Sequence, residues 1–166
     1  PVSDHQRHLL ERGIAVIRHV VVPNSQGHRQ QRAIEQVASS GGIEALVRAM
    51  RRLPPARDGV ESDVGHLWGC EALRAIANSD ERRLRAAEEG SVAAVVGAIR
   101  ASPQKADLAE VGCGALWNLG AGPFAAARLV AAQDGPRCVV EAMEVHAAVA
   151  EVVEEGCGAL RDMASS

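Results

Sequence analysis

The chain has 166 residues, a formal net charge of −3, and a composition that is 47% apolar but only 2% aromatic. A chain of this length buries roughly 70% of the surface it exposes when unfolded. With so few rings the core must be built from Ala, Val, Leu and Ile, which favours thin, closely spaced helices over a thick sheet sandwich. Tyrosine is absent and Phe124 is the single phenylalanine, which argues against a base-stacking platform for single-stranded nucleic acid. No apolar run has the length of a membrane span, and no signal-peptide pattern or Asn-x-Ser/Thr acceptor site occurs. The first residue is Pro1 and not Met, so a fragment or processed product is expected, with any targeting segment outside it.

In chain order, residues 4–22 read as one long helix. Arg29 to Ser39 forms a short block that runs into a glycine and the amphipathic stretch Gly42-Ile-Glu-Ala-Leu-Val-Arg-Ala-Met50. The breakers Leu53-Pro-Pro-Ala-Arg-Asp-Gly59 follow, then a long helix near 62–78. The same three-part order returns as Glu81 to Glu89, Gly90 to Ile99, the breaker Ala101-Ser-Pro103 and a long helix near 104–120. It returns again as Phe124 to Gln133, Gly135 to Met143 and a long helix near 148–164. Glycine at the first junction of each unit permits a left-handed residue that ends one helix before the next begins. Within the long helix of the middle unit Leu108, Val111, Cys113, Leu116 and Leu119 follow helical spacing, and the alternation of a strand is absent.

The repetition is literal. Gly-Cys-x-Ala-Leu occurs at 69–73, 112–116 and 156–160, at offsets of 43 and 44 residues. A three-helix unit of about 40–47 residues is the armadillo or HEAT period. The run Gly112-Cys-Gly-Ala-Leu-Trp-Asn-Leu119 resembles the long-helix signature of the armadillo family, and Gly42-Ile-Glu-Ala-Leu-Val47 resembles its second helix. The resemblance covers residues 28–164. It implies an all-α fold, a right-handed α-solenoid of stacked three-helix armadillo-type repeats, in one domain over 1–166. The repeats span about 28–78, about 80–120 and about 123–164, and 4–22 is the remnant of an upstream unit.

The chemistry-bearing residues are sparse. Cys70, Cys113 and Cys157 occupy equivalent sites in helices expected about 8–10 Å apart. That is too far for one zinc or for a disulfide, so all three are expected to be buried and metal-free. Cys138 completes no CxxC pair. His66 with Cys70, and His5 with His8, have pairwise ligand spacing but no third or fourth ligand. Gly112-x-Gly114 and Gly156-x-Gly158 lack the third glycine and the preceding strand of a phosphate loop; a close approach between helices accounts for them better. No nucleophile–base constellation stands out. Neither an enzyme nor a cofactor is expected, and a reducing intracellular compartment is the default, cytoplasmic unless an import segment is missing.

Charge is unevenly spread. Residues 1–57 carry nine Arg against four acids, and residues 58–166 carry nine Lys plus Arg against seventeen acids. Opposite ends can orient a partner. Arg48, Arg51, Arg52 and Arg57 could dock an acidic partner or nucleic acid, but no aromatics interleave them and net charge is negative.

In armadillo proteins the long helices line a concave groove, where peptide binders place Trp and Asn four residues apart. Carried over to this chain, Asn118 matches the asparagine and Gly114 stands at the tryptophan site. The sister units hold Glu71 with Ala75, and Gly158 with Asp162, so the ladder is broken. The candidate partner-binding residues are Trp68, Arg74, Trp117, Asn118 and Arg161, since Trp and Arg are favoured interface anchors. Packing between units is the alternative role for both tryptophans. The expected function is a protein-interaction module or accessory subunit that binds a protein partner through the long-helix face and the end helices, with Leu9, Leu10, Ile14, Leu160 and Met163 left uncovered.

Overall fold

A computed structural model describes residues 2–22, 27–54, 64–122 and 124–165, with side chains from Gln30 onward in the second segment. Among these residues the chain forms ten α-helices and no strand. They are α1 (Asp4–Val21), α2 (Gly27–Ser39), α3 (Gly42–Arg52), α4 (Val64–Ile76), α5 (Asp80–Glu88), α6 (Ser91–Ala101), α7 (Ala106–Gly120), α8 (Phe124–Ala132), α9 (Gly135–Val145) and α10 (Ala150–Ala164). The expected long helices agree with α4, α7 and α10 to within a residue or two, although positions 62 and 63 lie outside the described residues. Arg57 and most of the Leu53–Gly59 breaker also lie outside them.

The helices pack in rows. The helices α1, α4, α7 and α10 lie side by side in chain order, and α3, α6 and α9 form a second row against them. The short helix α5 packs on α8. At the start of α1, Ser3 Oγ accepts from the Gln6 amide at 3.3 Å, and Gln6 Oε1 accepts from the Ser3 amide at 3.0 Å. This reciprocal box satisfies donors that the first turn leaves without partners.

Each short helix ends in a left-handed residue, but not always at the expected glycine. The residues with positive φ are Gly41 (79°), Gly90 (89°) and Asp134 (63°). Gly42 and Gly135 are instead the first residues of α3 and α9. Their lack of a side chain serves proximity: a Cβ on Gly135 would stand 2.7 Å from the Val130 carbonyl oxygen. The third unit thus places an aspartate, which tolerates the left-handed region better than most residues, where the other units use glycine.

The recurrent glycine of Gly-Cys-x-Ala-Leu has a packing cause. A Cβ on Gly69 would stand 2.6 Å from Met50 Sδ, one on Gly112 would stand 2.7 Å from Ile99 Cδ1, and one on Gly156 would stand 2.6 Å from Met143 Cγ. Met50, Ile99 and Met143 are the corresponding residues of α3, α6 and α9 in successive units. Each second-row helix therefore inserts one long apolar side chain into a notch on its long helix. The notch brings the helices close enough for a core of small aliphatic residues to fill the gap, with Leu73, Ile76, Val92, Val95, Leu116 and Leu119 fully buried.

Candidate interaction face

The five residues singled out from the sequence sit at the junctions between neighbouring long helices. At the first junction Arg18 of α1 bonds Glu71 of α4 and lies 5.9 Å from the ring centre of Trp68. The Glu71 carboxylate, through that hydrogen bond, raises the Arg18 pKa above the ordinary arginine value. Trp68 is half-buried and packs on the core.

At the second junction Arg74 of α4 reaches across α7 and donates to Glu155 Oε1 of α10 at 2.5 Å. This span exists because position 114 is glycine: a Cβ there would be 2.7 Å from the Arg74 guanidinium carbon and 2.9 Å from Glu155 Oε2. The other carboxylate oxygen of Glu155 is buried with no hydrogen-bond partner among the described residues. Asn118 Nδ2 donates to the Arg74 carbonyl oxygen at 2.8 Å, tying α7 to α4.

The third junction follows the same plan with a ring in place of a guanidinium. Trp117 of α7 lies over Gly158 of α10 and donates from Nε1 to Asp162 Oδ2 at 2.6 Å. Arg161 covers the ring at 5.6 Å from its centre and donates to Asp162 Oδ1 at 2.9 Å. The indole bond, with the Arg161 bond behind it, lowers the Asp162 pKa below the usual aspartate range. Trp117 thus packs between units, the alternative role considered for it above.

A cleft of about 540 Å³ opens beside these junctions, between α2, the C-terminal parts of α1 and α4, and α7. Arg74 and Asn118 line it, whereas Trp68, Trp117 and Arg161 do not. Its walls also include Ile34, Val111, Glu110 and Gln31. Sequence reasoning missed Glu110 and the α2 residues, because the helix that closes a groove is fixed by packing, which a repeat pattern does not encode. Glu110 is a carboxylate with no ion-pair or hydrogen-bond partner among the described residues.

The cysteines depart from expectation at one position. Cys70, Cys113 and Cys138 are buried, but Cys157 is exposed. Its sister positions lie on α4 and α7, each of which packs against a following long helix, whereas among the described residues no helix follows α10. Burial pushes the Cys113 thiol up to about 12 and the Cys138 thiol up to about 11. Leu9 is 55% exposed, but Ile14 of the same end helix is fully buried against the core. Leu10, Leu160 and Met163 are partly buried. Ile14, named above among the uncovered residues, is instead part of the core, because α1 turns that side inward.

Two of the arginines grouped near the N-terminus have partners. Arg48 pairs with Glu44 at 3.7 Å and Arg51 donates to the Gly90 carbonyl oxygen at 3.3 Å. Among the described residues no cluster of three His, Cys, Asp or Glu has metal-binding geometry, and no helix is long and apolar enough to cross a membrane.

No protein-family model matches the chain, and no curated protein matches it. Among solved structures, it is similar to the crystal structure of an engineered protein from the Northeast Structural Genomics Consortium, at 17% identity and a TM-score of 0.68. The match covers 99% of this chain and 69% of that one. At this identity the likeness speaks for the all-helical fold alone.

Proposed function

We propose that the chain is an armadillo-type α-solenoid that binds a protein segment along its long-helix face and catalyses no reaction. The observation that carries this reading is the cleft beside Arg74 and Asn118, at the same face as the inter-helix junctions. Solenoids bury a continuous core and keep long faces open for binding. Asn118 spends one amide hydrogen on Arg74, and its Oδ1 accepts from no group among the described residues. It is free to bond the backbone of an extended segment. Ile34 and Val111 offer apolar contact, and Glu110 offers a charge for a Lys or Arg of the partner. Trp68, Trp117 and Arg161 form the flank of the same face.

Panning a random peptide library on the full chain tests this. Enriched peptides should carry a basic residue, and should lose at least about tenfold in affinity, or about 1.4 kcal/mol, with Asn118→Ala or Glu110→Lys. Peptides that bind both variants as tightly as the parent would overturn the cleft as the site. Trp68→Ala is a secondary probe, since Trp68 also packs under Arg18 and its loss is expected to loosen α1.

A further inference from the structure

The second-row helices meet at two junctions, α3 with α6 and α6 with α9, and a cavity opens at each. Aligned from their first residues, Arg51 of α3 corresponds to Arg100 of α6. In the same alignment Gly90, Ala94, Gly97 and Ala101 correspond to Asp134, Cys138, Glu141 and Val145. Arg100 reaches toward α9 and donates to Asp134 Oδ2 and to Glu141 Oε2, each at 3.2 Å. With both carboxylates in place, the cavity at that junction is about 60 Å³.

Arg51 reaches toward α6 in the same way and meets a glycine at both carboxylate positions. It donates to the Gly90 carbonyl oxygen at 3.3 Å, and no acid among the described residues pairs with it. A Cβ on Gly90 would stand 2.6 Å from Arg51 Nη2, so the guanidinium lies where the sister aspartate side chain begins. At Gly97 nothing stands within 4 Å of an added Cβ. The cavity at this junction is correspondingly about 220 Å³, with Arg51 and Gly97 beside the apolar Met50, Leu53 and Ala98. Arg51 and Gly97 are both exposed, so it is open to solvent. Both of its walls, α3 and α6, belong to the interior of the chain, so the opening does not depend on where the sequence begins or ends.

We propose that the cavity between α3 and α6 receives a glutamate side chain from an acidic protein segment, in the place that Glu141 holds at the sister junction. Arg51 supplies the charged N–H donors that Arg100 supplies there, and charge-assisted bonds of this kind are the strong ones. Arg52, next in the chain and also exposed, adds to the positive field that attracts such a segment. The glutamate methylenes pack on Met50, Leu53 and Ala98. A bare phosphate would instead set unpaired oxygens against those apolar walls, which is costly. The surface belongs to the second row and not to the cleft at α2, so it adds a second contact and is independent of what the cleft binds.

Fluorescence anisotropy of a dye-labelled polyglutamate peptide on the full chain tests the proposal, with polyglutamine of the same length as the neutral control. The parent should bind polyglutamate and not polyglutamine. Arg51→Met should weaken binding at least about tenfold. Arg137→Met removes the same charge from an exposed site on α9 and should leave binding nearly unchanged. Gly97→Glu is the sharper variant, because it rebuilds the carboxylate of the sister junction within the chain. It should abolish binding and raise Tm, and far-UV circular dichroism confirms that each variant folds. Asn118→Ala should leave binding unchanged, which separates failure of the cleft reading from failure of this one. Equal binding of the two peptides, a Gly97→Glu protein that binds as the parent does, or a DNA oligonucleotide bound more tightly than polyglutamate would overturn the glutamate site.

Discussion

Replacing Gly158 with alanine probes the junction between α7 and α10 more sharply than removing a large side chain, because it adds one carbon at a defined place. That Cβ would stand 2.5 Å from Cη2 of Trp117. Carbon atoms in favourable contact lie about 3.5–4.0 Å apart, so the ring must withdraw by roughly 1 Å. It is not free to do so, being held by the Nε1–Asp162 bond of 2.6 Å and covered by Arg161. Overpacking of this kind costs about 1–3 kcal/mol, and exchanging a helical glycine for alanine returns about 1 kcal/mol. The expected result is a net loss of about 1 kcal/mol. Gly97, exposed in α6 with nothing within 4 Å of an added Cβ, is the internal control. Gly97→Ala should gain about 1 kcal/mol. The two variants should therefore differ by about 2 kcal/mol, or about 4–8 °C in Tm for a chain of this size. Parallel thermal and urea melts followed by circular dichroism measure it. In a Trp117→Ala background the sign should reverse, and Gly158→Ala should become stabilising. If Gly158→Ala stabilises the parent as much as Gly97→Ala does, the indole does not lie on Gly158 and the account of this junction is wrong.

Four further outcomes follow from local structure. Gly41→Ala should lose about 1–2 kcal/mol from the left-handed conformation alone, since φ is 79° and nothing crowds the site. Asp134→Gly should be close to neutral in the same urea melts, because relief at φ 63° is offset by loss of the exposed Arg100 contact at 3.2 Å. A thiol reagent should modify Cys157 rapidly in the native protein, and Cys70, Cys113 and Cys138 only on unfolding; four fast thiols would contradict the burial described here. Asp162, whose folded pKa is depressed, stabilises the fold above the unfolded aspartate value of about 3.9 and loses that contribution as pH falls through the folded value. Asp162→Asn should therefore flatten the loss of stability below about pH 4; acid melts that superimpose on the parent would contradict the Trp117–Asp162 bond.

The helical class, the order of short and long elements and the places of their turns were legible from 3.6-residue spacing and from Gly-Cys-x-Ala-Leu recurring at 69, 112 and 156. These are local properties, set within one helix or across one turn, so a linear pattern carries them. The left-handed residue of the third unit was misplaced because Asp134 and Gly135 both suit a helix junction, and the crowding against Val130 decides between them. Burial of Cys157 was misjudged for a related reason: a repeat pattern states what each position is suited to, and coverage depends on whether a further helix stands above it. The reach of Arg74 over Gly114 to Glu155 spans 81 positions and three helices. The roles of Arg74 and Trp117 were fixed by the glycine under each side chain, Gly114 and Gly158, a relation between helices that no stretch of the chain contains on its own.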